Sequence, residues 1–228
     1  MLAWTPDDLQ ILRLSVQVAA LATLASLVPA IAVAVLLARR RFWGHALINA
    51  LVHLPLVLPP VVTGYVLLRL LGTRGPIGGW LAETFGLIVA FRWTGAVVAA
   101  AVMGFPLMVR AIRSSIESVD PRLEEAAATL GAAPAWRLLT ITLPLAVPGI
   151  LAGAILGFAK ALGEFGATIT FVSNIPGETQ TLALAIYALT QTPGGEAGVW
   201  RLAALSVAVS LAALVAAEAL ARRTAVRR

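Results

Sequence analysis

Residues 120–144 read DPRLEEAAATLGAAPAWRLLTITLP, a polar, helix-forming stretch bounded by turn residues and set between long apolar runs. Asp120 before Pro121 is an N-cap followed by proline at the first helical position. Glu124 and Glu125 fall near the positive end of the helix dipole. Gly131 stands where a left-handed C-cap would end the helix. Pro134 starts a second short helix, and Pro144 closes the unit. Leu123, Ala126 or Ala127, and Leu130 recur at helical spacing on one face. The product is a short helix with an apolar stripe, held outside any bilayer and shaped to enter a groove on another protein.

The chain around it is far more apolar. Of 228 residues, 60% are hydrophobic and 12% charged, where a soluble domain carries about 25% charged residues. A single core of this size cannot hide that much apolar surface, so a bilayer must cover it. The net charge of +6 does not point to nucleic acid, because the basic residues stand at the ends of apolar runs, as membrane insertion asks. With no cysteine, disulfide, thiol and Cys-based metal chemistry are excluded.

Five apolar runs can span about 30 Å of hydrocarbon: residues 14–38, 46–68, 87–109, 145–172 and 202–220. The expected fold is an all-α integral membrane domain of about five transmembrane helices, one domain over residues 1–228. No basic segment and no small-x-small site frame the first run as a signal peptide. Pro29 is a candidate kink. Residues 72–85, rich in glycine and with Pro76, read as a loop with Trp80 near the interface. Residues 179–192 are apolar in the middle but too short to cross, so they read as a re-entrant or surface helix.

Two places break the helical pattern. Pro55, Pro59 and Pro60 in the second run preclude an unbroken helix. A break at membrane depth requires protein or a water-filled path to satisfy the freed carbonyls, so this is either a pathway element or a kink made for packing. In the fourth run Lys160 and Glu164 stand one helical turn apart and can pair. Gly163 and Gly166 beside them allow close backbone approach or a helix break, and Thr168 offers a hydroxyl beyond. Pro59, Pro60, Gly163, Glu164, Gly166 and Thr168 are the candidate translocation-path residues. A pair facing a cavity and a pair satisfied at a packing face both fit Lys160 and Glu164.

Basic residues set the orientation. With the 120–144 loop on the cytoplasmic side, eleven of the seventeen basic residues are inside, among them Arg39, Arg40, Arg41 and the tail arginines Arg222, Arg223, Arg227 and Arg228. The expected topology is N-terminus outside and C-terminus in the cytoplasm.

The missing chemistry narrows the function. Lys160 is the only lysine and no G-x-x-x-x-G-K-[ST] occurs, so the chain has no P-loop. His45 and His53 are the only histidines and form no H-E-x-x-H helix, and no G-x-S-x-G elbow is present. Neither an enzyme nor a cofactor is expected. Carboxylates are nearly absent from the spans, so a neutral or anionic solute fits better than a proton-driven cation. Five spans leave too little wall for a shielded path, which argues for a symmetric homodimer with the path on its two-fold axis.

Glu125-Ala126-Ala127, Gly131, Ile141, Leu143 and Pro144 match the E-A-A-x-x-x-G, nine residues, I-x-L-P pattern of ABC-importer membrane subunits. HLPLVLPPVVTGYVLL at 53–68, MGFPLMVRAIR at 103–113, ALGEFGATITFVSNIPGETQTL at 161–182 and QTPGGE at 191–196 extend the likeness over nearly the whole chain. The sequence closely resembles the permease subunits of molybdate ABC transporters. GEFGA is shared with sulfate and tungstate permeases, whereas SNIPGETQTL favours molybdate. The resemblance implies a type I ABC-importer architecture in a bacterial inner membrane. It implies two ATP-binding subunits docked on the 120–144 loop through Glu124, Glu125, Ala126, Ala127, Leu130, Gly131 and Pro134. It also implies an extracytoplasmic oxyanion-binding protein and no catalytic residue in this chain. Sulfate or tungstate permease, and less closely an ion-coupled anion carrier, are the alternatives.

Overall fold

A computed structural model describes residues 5–225, with side chains to residue 216. The side chains of Arg222 and Arg223, and all of Arg227 and Arg228, lie outside the described residues. Among the described residues every regular element is helical: α1 (Pro6–Arg39), α2 (His45–Val57), α3 (Pro60–Leu71), α4 (Pro76–Phe85), α5 (Trp93–Glu117), α6 (Pro121–Thr129), α7 (Pro134–Arg137), a π-helical turn (Leu138–Thr142), α8 (Leu143–Leu162), α9 (Gly166–Val172), α10 (Leu182–Thr190) and α11 (Glu196–Ala225).

Four stretches are long and apolar enough to cross a membrane: α1, α5, the continuous helix Pro134–Leu162, and α11. The fifth candidate is the pair α2 and α3, bent by 113° at their junction. This is the break expected from the prolines. Pro55 is carried inside α2, while Pro59 is the N-cap of α3 and Pro60 its first residue. Proline is tolerated at a first position because its missing N–H would have no intrahelical partner there.

The central packing unit is α1, α5 and α8, and small residues let it close. Buried alanines at 19, 22, 30 and 34 of α1 and at 96, 99 and 100 of α5 line the contact. On α8 a glycine recurs every fourth residue. A Cβ on Gly149 would sit 2.0 Å from Ser115 Cβ, one on Gly153 2.9 Å from Ile112 Cγ1, and one on Gly157 2.6 Å from Met108 Sδ. Only bare backbone fits at these distances. In a bilayer, where apolar burial does not drive helix association, such packing of α5 side chains onto bare α8 backbone supplies the dispersion contact. Leu182 N–H donates to the Ser15 hydroxyl at 2.7 Å, tying the start of α10 to α1.

At the opposite end from the polar loop, α1 opens on a capping box. Asp8 N–H donates to Thr5 Oγ1 at 3.3 Å and Thr5 N–H donates to Asp8 Oδ2 at 2.9 Å. The same carboxylate holds Arg201 of α11, with Nε 2.8 Å from Oδ2 and Nη2 3.2 Å from Oδ1. One acidic side chain thus starts the first long helix and fastens it to the last.

Two expectations need correction. Residues 72–85 are not all loop, since Pro76–Phe85 is helical, with proline at its first turn and Gly86 in the left-handed conformation at its end (φ +67°). Its glycines had suggested turns, but Gly78 serves close packing. A Cβ there would fall 2.1 Å from the Leu71 carbonyl oxygen. The third run is displaced: its helix begins at Trp93 and continues past Arg110 and Arg113 to Glu117. Arg113 does not end it because Glu117, one turn on, accepts its Nε–H at 2.7 Å. The run 145–172 is divided, α8 stopping at Leu162 and α9 resuming at Gly166, which is the helix break that Gly163 and Gly166 allowed. The short apolar stretch near 179–192 forms α10, nine residues packed on α11 through Leu182, Ala185 and Leu202.

Candidate docking loop and pathway elements

The loop folds as its capping residues dictate. Asp120 Oδ1 accepts the Arg122 N–H at 2.9 Å, and Pro121 is the first helical residue of α6. At the far end Gly131 adopts φ +83°. Its N–H donates to Ala128 O and the Ala132 N–H donates to Ala127 O, both at 3.0 Å. These two bonds are the Schellman arrangement, which satisfies carbonyls the helix would otherwise leave open. Nothing lies within 4 Å of a Cβ built on Gly131, so glycine is required there by backbone conformation and not by space.

The two glutamates of α6 behave differently. Glu124 turns toward the body of the protein. Its Oε1 lies 2.8 Å from Arg39 Nη2 at the end of α1 and also accepts a short hydrogen bond from the Thr142 hydroxyl in the π-helical turn. Arg137 Nη1 donates to the Glu124 carbonyl oxygen at 3.4 Å. Glu125 is exposed and has no polar partner among the described residues. Ala127 is half-buried on the Glu124 side, while Ala126 and Pro134 are exposed. Leu123 is 47% and Leu130 88% exposed, and Trp136 and Leu139 add to the uncovered surface. The apolar stripe seen in the sequence therefore faces away from the protein, with Glu125 beside it. Such a patch on a capped helix has the shape and chemistry of a surface that a complementary groove could cover.

The pathway candidates fall into two groups. Pro60 and Gly166 meet where α3 crosses α9: a Cβ on Gly166 would lie 2.7 Å from Pro60 Cβ. Four residues along, a Cβ on Gly64 would lie 2.5 Å from the Ala167 carbonyl oxygen. Glu164, 3% exposed, accepts the Lys160 ammonium at 2.6 Å through Oε2 and the Ala167 N–H at 3.0 Å through Oε1. It thus pairs within its own segment and caps the first turn of α9. Pro59 and Gly163 are exposed, and Thr168 is buried. The structure brings the α3–α9 crossing and the Lys160–Glu164 pair into one neighbourhood through Gly166 and Ala167.

Arg39, Thr142, Arg137 and Gly64 were not singled out from sequence. Arg39 is one of three consecutive arginines, and nothing local distinguishes it from Arg40 and Arg41. Thr142 lies eighteen residues from Glu124 and reaches it only because the chain folds back through α7 and the π-helical turn.

Comparison with known proteins places this geometry. Residues 30–226 match the family described as "Binding-protein-dependent transport system inner membrane component". The chain is 57% identical over 219 residues to the molybdenum transport system permease protein ModB of Escherichia coli K12, covering 96% of this chain and 95% of that one. It is 55% identical to the ModB of Haemophilus influenzae over 217 residues, 95% and 94% of the two lengths. The sulfate transport system permease protein CysT of E. coli is 39% identical over 156 residues, 68% of this chain and 56% of CysT. Among solved structures the fold is similar to a bacterial ABC transporter importing alginate (TM-score 0.73, 18% identity, 96% and 80% covered). It is also similar to the inward-facing MetNI methionine ABC transporter (TM-score 0.72, 16% identity, 97% and 99% covered). With a family match over most of its length and near-full-length relatives above one half identity, the chain belongs to the binding-protein-dependent transport system inner membrane components.

Proposed function

We propose that this chain is the membrane-spanning permease subunit of an ATP-driven importer that carries molybdate, or a similar tetrahedral oxyanion, into the cytoplasm. The observation that carries the reading is near-full-length identity above one half to proteins named as molybdenum permeases, together with an outward-facing docking helix. Two copies form a homodimer, and the anion passes along the shared axis. An ATP-binding subunit docks on each 120–144 loop, and an extracytoplasmic binding protein delivers the anion to the other side. Closure of the ATP-binding pair draws the α6 helices together and rocks the spans outward, and hydrolysis resets them. Energy enters from the partner, because this chain has no P-loop lysine to hold nucleotide phosphates. The N-terminus lies outside and the C-terminus inside. The spans are those of the helices above, with the α3–α9 crossing and the Lys160–Glu164 segment beside the path.

Sulfate is the second reading, favoured by the 39% identity to a sulfate permease. That match covers little more than two thirds of this chain, so it ranks below molybdate. Uptake of labelled molybdate into vesicles holding the permease, its ATP-binding subunit and the external receptor tests the proposal. Uptake requires ATP and receptor, survives collapse of the proton gradient, and is competed by tungstate more than by sulfate. Transport by the permease alone, or loss of transport when only the proton gradient is removed, refutes it. The chain has no cysteine, so single-cysteine reporters at Arg122 and Glu178 read orientation directly. An impermeant thiol reagent outside intact cells labels the second and not the first.

A further inference from the structure

We propose that Glu124 is not part of the docking face but is the strut through which α6 moves the membrane helices, with Arg39 as its partner. This rests on the reading of α6 as the docking helix. Apart from its chain neighbours, α6 is nearly detached: every residue from Pro121 to Thr129 is exposed except Glu124 and Ala127, which are half-buried. Its joints are the short link 118–120 on one side and the left-handed Gly131 on the other. One carboxylate oxygen bridges that gap. Glu124 Oε1 meets Arg39 of α1 and the fully buried Thr142 at the base of α8. Those two helices, with α5, make the central packing unit.

Arg39 is given over to this contact as fully as the glutamate is. Its Nε and Nη2 are buried without a hydrogen bond, so Nη2 meets Glu124 as an ion pair, and Glu124 is the one carboxylate paired with this guanidinium among the described residues. Both side chains are about three-quarters covered, so water screens the pair less than it would a surface bridge. Glu125, one residue further and about 100° round the helix, points away and is free for a partner. Displacement of α6 therefore pulls α1 and α8 together through one carboxylate oxygen, by the ion pair to Arg39 and the hydrogen bond from Thr142. Without that contact α6 swings on its two joints and the spans do not follow. Arg39 and Glu124 are positioning residues for transport, and neither touches the solute.

The complete complex in vesicles tests this, with the permease carrying Arg39→Glu, Glu124→Arg, both together, or Glu124→Gln. Two quantities are read: retention of the ATP-binding subunit through purification, and molybdate carried per ATP hydrolysed. Each charge reversal alone keeps the ATP-binding subunit but lowers the transport ratio by about fivefold or more, the scale of a coupling contact. The double reversal restores most of it. Glu124→Gln keeps the shape and the Thr142 bond, and gives a partial loss should a reversal fail to insert. A single-reversal ratio within about twofold of the parent, or a double reversal no better than the singles, overturns the strut. Release of the ATP-binding subunit by the single reversals also overturns it, because Glu124 would then be a docking residue. If Leu130→Asp leaves the ATP-binding subunit bound, the docking reading fails and the strut with it, an outcome distinguishable because the reversals need not be consulted.

Discussion

Truncating Leu130 to alanine separates docking from folding. The side chain is 88% exposed in the free chain, so nearly all of its apolar surface is available for burial against a partner. Removing it deletes burial at about 0.8 kcal/mol per methylene, about 2 kcal/mol in all if the partner's groove closes over it. That is about thirtyfold in Kd at each of the two loops of a dimer. The isolated permease should not notice. Leu130 is the C-cap residue of α6, but its side chain makes no capping bond: the Schellman bonds around Gly131 are made by backbone alone, and an exposed side chain that caps nothing changes stability by about 0.5 kcal/mol at most. The assay is a titration of detergent-solubilised permease with the ATP-binding subunit, beside a thermal unfolding curve of the permease alone. A weakened complex with an unshifted midpoint is expected. A Kd within about threefold of the parent would show that Leu130 stays in solvent when the subunits meet, and the apolar stripe would then not be the recognition surface.

Other outcomes follow from single contacts. Gly131→Asp places a side chain at φ +83°, a conformation costing roughly 1–2 kcal/mol outside glycine, and should abolish uptake while the membrane content measured by immunoblot is kept. Gly64→Ala drives a Cβ to 2.5 Å from the Ala167 carbonyl oxygen; a backbone atom cannot step aside, so α3 and α9 must part at a cost of about 1–3 kcal/mol, seen as a lower unfolding midpoint and reduced transport. Glu164→Ala leaves Lys160 without its anion and α9 without its cap; because Lys160 is about one-third exposed, the loss is about 1–3 kcal/mol, with a corresponding drop in folded yield. Lys160→Met with Glu164→Gln should lose less than Glu164→Ala, because no charge is stranded.

What the sequence made legible is what local chemistry controls. Asp120, Pro121 and Gly131 carry the α6 caps in their own identities, and the structure uses each where the sequence put it. The break at Pro59 and Pro60 was equally plain, since two prolines in succession cannot continue a helix. The helical α4 was hidden because Gly78 and Gly79 look like turn residues, and their packing against the end of α3 is a tertiary fact. The third helix differs in its bounds from the apolar run because hydropathy follows side-chain polarity, whereas the helix follows backbone bonds and accepts Arg113 as long as Glu117 answers it. At the candidate site, the outward face of α6 could be read from spacing, but the inward role of Glu124 could not. The pattern treats Glu124 and Glu125 as equivalent near a helix N-terminus, and only the return of the chain through Leu138–Thr142 shows which of them meets Arg39.

The wide turn at Leu138–Thr142 also bears on which lengths of chain this loop can accept. A π-helical turn holds one residue more than the regular pitch requires. Deleting a single residue there would tighten the coil and leave both flanks facing as they do now. A deletion between Leu143 and Pro148 would instead rotate everything beyond it by about 100° and carry Gly149, Gly153 and Gly157 off Ser115, Ile112 and Met108. The surplus residue is slack kept at the root of the loop, the one site along this helix where its length can change without a change of phase.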